Sequence, residues 1–227
     1  MSTTPLPTSI LNRMLNEQKK KKQVQKITLL PSQLEWSNKS KDILTRNHGY
    51  IDTSPMGAGK TVLTIHNALH YSFKLFIVCP VTLISNWRTE AEKYGVEIVD
   101  IISYQSLRSV KYHQPKHGYL ARHDYELGNK KMVQFGATQK YLNIVNDRTL
   151  VVFDEIQNIK NNSAQFKACT ALLDPIIRTN NCSSRYALLS ATPFDKEKLA
   201  VNLLKLIGYI TAQKLYYVVD GQLILEG

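Results

Sequence analysis

A chain of 227 residues, 43% hydrophobic and 21% charged, has room for one sizeable domain with its own core and would hold two only in cramped form. Its longest apolar run, around Leu75 to Ile84, is broken by Cys79, Pro80 and Thr82 and is too short to span a bilayer. Met1 to Ile10 lacks the basic stretch and apolar core of a signal peptide. The three cysteines, Cys79, Cys169 and Cys182, lie outside any CxxC pair; they speak against a disulfide framework or a thiolate zinc site and fit a reducing, intracellular compartment, nucleus or cytoplasm.

The formal charge of +11 is unevenly placed. Residues 1–27 carry Arg13, Lys19, Lys20, Lys21, Lys22 and Lys26 against Glu17, the composition of a basic, disordered arm that is merely solvated, touches nucleic-acid phosphate or serves as a localisation signal. Pro31 to Asn47 reads as a helix with Leu34, Ile43 and Leu44 as its apolar positions and Pro31 in the first turn. GYIDTS is a short strand, and Thr61 to Tyr71 a helix beyond the loop that follows it. KLFIVCP is an apolar run ended by proline, the pattern of a strand buried on both faces. Ile84, Trp87, Ala91 and Tyr94 recur at helical spacing, which favours packing of Trp87 over stacking on a base. VEIVDIISY is a further strand. Residues 108–138 are polar and without sustained period, and are expected as an insertion or long loop. RTLVVFDE is a buried strand ending in acids. SAQFKACTALLDPII is a helix capped by Ser163 and expected to end near Pro175. RYALLSATP is a strand and DKEKLAVNLLKLIGYI a helix. Asp220-Gly221 between apolar runs in 211–227 signals a hairpin.

Alternating apolar strands and helices predict an α/β fold with a parallel sheet covered on both faces. Ligands of such sheets sit at the carboxyl ends of the strands, where the loop SPMGAGKT, the pair Asp154-Glu155 and the triplet Ser190-Ala191-Thr192 would converge. In the loop, Gly57 and Gly59 allow backbone N–H groups to turn toward an anion, and the following helix points its positive end there. Lys60 suits the β- and γ-phosphates and Thr61 a magnesium ion, although Ser54 stands where the phosphate-loop pattern has its first glycine. Asp154 can hold Mg²⁺ through water and Glu155 can orient or deprotonate a water. An acid pair alone is usually a solvated strand end; its weight comes from its pairing with the loop. His66 and His70 lack a visible third metal ligand, and His113, His117 and His123 in the insertion make a weak zinc case.

The ordered segments LLPSQLEW, SPMGAGKT, IVCPVTLISNW, ISYQSL, DEIQNIKN and LLSATP resemble the first RecA-like lobe of superfamily 2 helicases and translocases, over about Leu29 to Ile210. The tryptophan after the CP segment and the IKN after the acids are most similar to the Swi/Snf group, and large DNA virus helicases are similar too. A small residue in place of the first loop glycine is usual in that superfamily. The resemblance implies a P-loop NTPase with a RecA-like sheet ahead of the C-terminal hairpin read above, an ATP and Mg²⁺ requirement, and a nucleic-acid partner, DNA before RNA. It makes Gln33 the adenine-reading residue, and Ser54, Pro55, Met56, Gly57, Ala58, Gly59, Lys60 and Thr61 the phosphate loop. Asp154 and Glu155 become the metal and water residues, and Gln157 with Ser190, Ala191 and Thr192 the coupling residues. Residues 80–86 and 104–106 correspond to segments that contact the nucleic-acid backbone. The superfamily's second RecA-like lobe is not in the sequence, so it is expected in cis or in trans, with little hydrolysis from this chain alone. A virus-encoded chain would work in a viral factory. The alternative is a non-catalytic nucleic-acid-binding module with a vestigial nucleotide site, and a small-molecule ATPase is a third possibility.

Overall fold

The computed structural model describes residues 24–110, 113–159, 163–192, 197–209, 216–219 and 222–225. Residues 1–23 of the basic arm, Pro193 and the Asp220-Gly221 turn lie outside these. Residues 24–27, which the charge pattern groups with the arm, lie on the folded body: the Gln25 N–H donates to Lys93 O at 3.0 Å and Ile27 packs against the core.

The elements run in order as α1 (Pro31–Arg46), β1 (Gly49–Asp52), α2 (Lys60–Tyr71), β2 (Lys74–Cys79), a 3-10 turn (Val81–Leu83), α3 (Ile84–Tyr94), β3 (Ile98–Ser103) and α4 (Tyr104–Arg108). There follow β4 (Leu120–Leu127), β5 (Lys130–Ala137), α5 (Gln139–Val145), β6 (Thr149–Asp154), a second 3-10 turn (Ile156–Asn158) and α6 (Ala164–Arg178). The chain continues with β7 (Arg185–Leu189), α7 (Glu197–Leu206), β8 (Tyr216–Val219) and β9 (Gln222–Leu225). Five strands form one parallel sheet in the order β1-β7-β6-β2-β3. Because all five run the same way, Asp52, Leu189, Asp154, Cys79 and Ser103 end on one edge.

The two-residue period of the strands explains how the sheet separates two cores. Phe76, Val78, Val151 and Phe153 face one side, where α4, α6 and the β4-β5 hairpin supply Leu107, Ala168, Leu172, Leu120 and Phe135. Leu75, Ile77, Cys79, Leu150 and Val152 face the other, against Leu44 of α1, Ile65 and Ala68 of α2, and Trp87 and Ala91 of α3. All three cysteines are free and buried.

Three departures from the sequence reading have physical causes. Residues 120–137 are an antiparallel β-hairpin rather than an open loop, with Leu120 opposite Ala137 and Leu127 opposite Lys130. Its base is buried and its tip is solvated, so no single alternation runs through it. Helix α6 does not end at Pro175 but continues to Arg178, because Ile176 beyond the proline is fully buried. On α1 only Leu44 of the expected apolar positions is buried, while Leu34 and Ile43 are 49% and 39% exposed. That helix is seated instead by polar bonds. Ser37 Oγ donates to Asn67 Oδ1 at 2.9 Å, Asn67 Nδ2 to Ser40 Oγ at 2.6 Å, and Ser40 Oγ to Ser37 O at 2.9 Å. With its proton spent on Asn67, Ser37 Oγ can only accept from His66 Nδ1 at 3.0 Å, which fixes that ring's tautomer.

Gly49 sits in register with Tyr186 at the start of β1. A Cβ there would lie 2.4 Å from Tyr186 O and 2.5 Å from its ring. Gly49→Ala is therefore expected to cost about 1–3 kcal/mol, read as a lower urea midpoint at unchanged m-value. An unchanged midpoint would show that β1 and β7 separate at no cost.

Candidate nucleotide site

The loop between β1 and α2 begins with Ser54, buried, whose N–H donates to Asp52 Oδ1 at 2.9 Å. Gly57 and Gly59 both have left-handed backbones, φ +78° and +88°, which a side chain disfavours. A Cβ on Gly57 would meet nothing within 4 Å, so the loop is open on that side. Lys60 starts α2, one residue before the expected Thr61, and its Nζ donates to Ser54 O at 2.8 Å and Pro55 O at 3.1 Å. The ammonium is thus folded back over its own loop. Gln33 closes the loop from α1: its Oε1 accepts from Leu30 N–H and its Nε2 donates to Ala58 O, both at 3.0 Å. Pro55 and Met56 are exposed, and Ala58 and Thr61 are half-buried.

Asp154 ends β6 two strands away and is 6% exposed. Its Oδ2 accepts from Trp87 Nε1 at 2.9 Å and its Oδ1 from Glu155 N–H at 3.0 Å. Burial raises its pKa and the Glu155 charge adds to the rise, while the Trp87 bond and the Lys60 charge oppose it. The ionised carboxylate is less favoured in the folded chain than in water. Its contribution to stability is therefore fullest below about pH 4, where the unfolded aspartate is protonated, and is lost as pH rises through the raised folded pKa. The melting temperature of Asp154→Asn relative to wild type should rise as pH increases from about 4, the unfolded pKa, through the raised folded pKa. A difference independent of pH would mean that Asp154 titrates as it does in water.

Glu155 follows in the left-handed region at φ +55°, the kind of backbone outlier that clusters at functional sites. From there one chain of hydrogen bonds crosses the sheet edge. Gln157 Nε2 donates to Glu155 Oε2, Ser190 Oγ donates to Gln157 Oε1 at 2.6 Å, and Thr192 N–H donates to Ser190 Oγ at 3.1 Å. Ser190 itself is anchored through its N–H to Asp52 O at 3.0 Å. Ala191 is half-buried and Thr192 exposed.

The two segments assigned to nucleic acid differ in exposure. Val81, Thr82, Ser85 and Asn86 are exposed, as are Gln105 and Ser106. Tyr104 is not available to a ligand; it is 2% exposed, and its hydroxyl donates to Asp154 O at 2.8 Å. Sequence reasoning placed Trp87 in the core but missed its bond to Asp154, which joins residues 67 apart. Among the described residues no group of three histidines, cysteines or acids is placed to hold a metal, and no helix is long and apolar enough to cross a membrane. His117 is held as a neutral ring: Nδ1 accepts from Tyr119 N–H at 2.9 Å, which leaves Nε2–H for Leu107 O at 3.2 Å, and burial lowers its pKa.

The donor set suits a magnesium nucleotide. Carboxylate and hydroxyl oxygens, from Asp154 and Thr61, are the ligands a hard cation takes, and an open glycine loop at a helix N-terminus with a lysine suits phosphate. A parallel sheet with a glycine loop after β1, acids after β6 and the Ser190-Ala191-Thr192 triplet after β7 has the arrangement of a RecA-like fold.

Among the proteins this chain is similar to are a viral protein named as a helicase and two archaeal SWI2/SNF2 ATPase cores. No protein-family model matches the chain. It is 41% identical over 69 residues to a protein of Acanthamoeba polyphaga mimivirus that carries the name of an ATP-dependent RNA helicase, a stretch equal to 30% of this chain and 13% of that one. The Sulfolobus solfataricus SWI2/SNF2 ATPase core in complex with dsDNA superposes with a TM-score of 0.51 at 19% identity, covering 82% of this chain and 36% of that one. The core domain without DNA gives a TM-score of 0.50 at 20% identity, over 82% of this chain and 37% of that one. At such identity the likeness to the archaeal cores is one of fold. The chain spans little more than a third of them and 13% of the viral relative.

Proposed function

We propose that this chain is the ATP-binding lobe of a nucleic-acid-dependent ATPase, a DNA helicase or duplex translocase of Swi/Snf-like or viral type. The observation that carries the reading is the hydrogen-bonded line Glu155–Gln157–Ser190–Thr192, which starts at the acid pair and ends in the triplet. In this reading residues 24–210 make up the lobe, the basic residues of 1–23 contact nucleic-acid phosphate, and 211–227 are a C-terminal hairpin or the start of a second half. Work on nucleic acid places the protein in the nucleus, the cytoplasm or a viral factory.

In this reading Lys60 leaves the carbonyls of Ser54 and Pro55 for the β- and γ-phosphate oxygens, while Gly57, Ala58 and Gly59 turn their N–H groups to the same oxygens. Gln33 gives up Ala58 O for the adenine edge. Thr61 and Asp154 hold Mg²⁺, which when bound neutralises charge on the phosphate oxygens. Glu155 orients the attacking water and takes its proton, and Gln157 senses that change and passes it to Ser190. A second RecA-like lobe, in cis or in trans, supplies arginines, a contribution of about 10³–10⁵ in rate in such enzymes. DNA is the favoured partner because the matched archaeal core is a dsDNA complex, although the viral relative is named for RNA.

The test is ATP hydrolysis and binding of a fluorescent ATP analogue, with and without duplex DNA, single-stranded DNA and RNA. Glu155→Gln should keep nucleotide affinity and reduce any stimulated turnover by about 10²–10⁴, the range for loss of a general base. Salt-sensitive nucleic-acid binding with no nucleotide affinity would replace this reading by a binding module with a vestigial site. Nucleotide turnover with no nucleic-acid affinity would point to a small-molecule ATPase.

A further inference from the structure

The two segments that the family resemblance matches to nucleic-acid contacts each carry a buried aromatic donor at their root, and both donors end on Asp154. Trp87 follows Asn86 directly, is fully buried, and gives its indole N–H to Asp154 Oδ2 at 2.9 Å. Tyr104 opens the other segment and gives its hydroxyl to the main-chain carbonyl of the same residue at 2.8 Å. Packing alone would accept apolar rings at both positions, yet each side chain spends its one polar group on Asp154. One bond fixes the carboxylate; the other fixes the backbone just before Glu155 turns into the left-handed region. Next to these rings the chain surfaces at once, at Asn86 and Ser85 on one side and Gln105 and Ser106 on the other.

We propose that Trp87 and Tyr104 are positioning residues that hold Asp154 in place for magnesium and tie that place to the exposed residues beside them, Val81, Thr82, Ser85 and Asn86 in one segment and Gln105 and Ser106 in the other, so that nucleic acid seated on these strengthens the hold on Mg²⁺-nucleotide. This rests on the nucleotide-site reading above. Displacing either segment moves its aromatic ring, and the ring cannot move without breaking its bond to Asp154. By linkage the coupling is reciprocal: Mg²⁺-nucleotide tightens the grip on nucleic acid by the same factor.

The experiment compares wild type with Trp87→Phe and Tyr104→Phe. Affinity for a fluorescent ATP analogue is measured with and without Mg²⁺, and with and without a saturating DNA duplex, and duplex affinity is measured with and without nucleotide. Circular dichroism and urea midpoints check folding; Tyr104→Phe removes a single oxygen and serves if the tryptophan variant does not fold. Both variants should keep wild-type affinity for the duplex alone and for nucleotide without Mg²⁺. Trp87→Phe should lose about tenfold of the Mg²⁺ enhancement, the effect of one hydrogen bond to a charged group. Either variant should abolish the mutual enhancement of duplex and Mg²⁺-nucleotide. Variants that retain both enhancements, or that lose Mg²⁺-free nucleotide affinity in the same proportion, overturn the proposal. So does a wild type that gains affinity with Mg²⁺ but ignores the duplex. A wild type with no nucleotide affinity at all defeats the underlying nucleotide-site reading instead.

Discussion

Lys60→Ala is expected to lower affinity for an ATP analogue about ten- to a hundredfold while leaving the lobe folded. In the structure the Lys60 ammonium donates to two neutral carbonyls, Ser54 O and Pro55 O. Exchanging these for phosphate oxygens replaces neutral acceptors by charged ones, and a hydrogen bond to a charged group is worth about 1.5–3 kcal/mol. The fold does not depend on the side chain to the same degree. Lys60 is half-buried at the first position of α2, alanine is the best helix former, and the two lost bonds sit at a surface where water replaces them. Titration with the analogue and a urea melt separate the two effects. Wild-type affinity in the variant would show that the loop does not hold phosphate through this lysine.

Much of the fold was legible because the strands 74–79, 149–154 and 185–189 are nearly continuous apolar runs, which only a sheet covered on both faces explains. The loop, acid pair and triplet could be placed on one edge for the same reason, since each follows a strand of a parallel sheet. What escaped the reading is non-local or polar. Helix α1 shows no convincing apolar stripe because its contact with α2 runs through Ser37, Ser40, His66 and Asn67, a set of bonds between residues about 30 apart. The bond between Trp87 and Asp154 has no local signature either: an indole on an apolar stripe reads as packing, which it also is. Helix α5, Gln139–Val145, is too short to establish a period, and only Tyr141 and Val145 are buried on it. The hairpin at 120–137 hid its strands because Leu120 and Arg122 are buried near its base while every β4 residue from His123 to Leu127 is exposed.

Arg122 is the residue that makes this hairpin part of the lobe, and its loss should be the most destabilising of the changes considered. The residue is 6% exposed and all three guanidinium nitrogens are hydrogen-bonded. Nε and Nη2 pair with the two carboxylate oxygens of Asp124 at 2.9 Å each, and Nη1 donates to Arg108 O at 3.2 Å and Val110 O at 3.0 Å. Its own backbone is clamped by Gln114, whose Oε1 accepts from Arg122 N–H at 2.9 Å and whose Nε2 donates to Arg122 O at 2.6 Å. Arg122→Ala strands two main-chain carbonyls and half of an ion pair. Breaking a buried pair typically costs about 3–5 kcal/mol, and because Asp124 keeps 24% of its side-chain surface in water the lower end, about 3 kcal/mol, is expected. Arg122→Lys should recover little, since one ammonium cannot reach the carboxylate and both carbonyls in the directions the planar fork does. The damage should also be local. Amide exchange should speed up first in 120–137 and around Val110, while β6 and β2 from Leu75 onward, buried inside the sheet, stay protected until global unfolding. Because Val110 lies two residues beyond the helix that begins at Tyr104, the same variant tests whether the hairpin and that helix move together. Loss of protection in the hairpin with none around Val110 would mean that the contact between them is incidental.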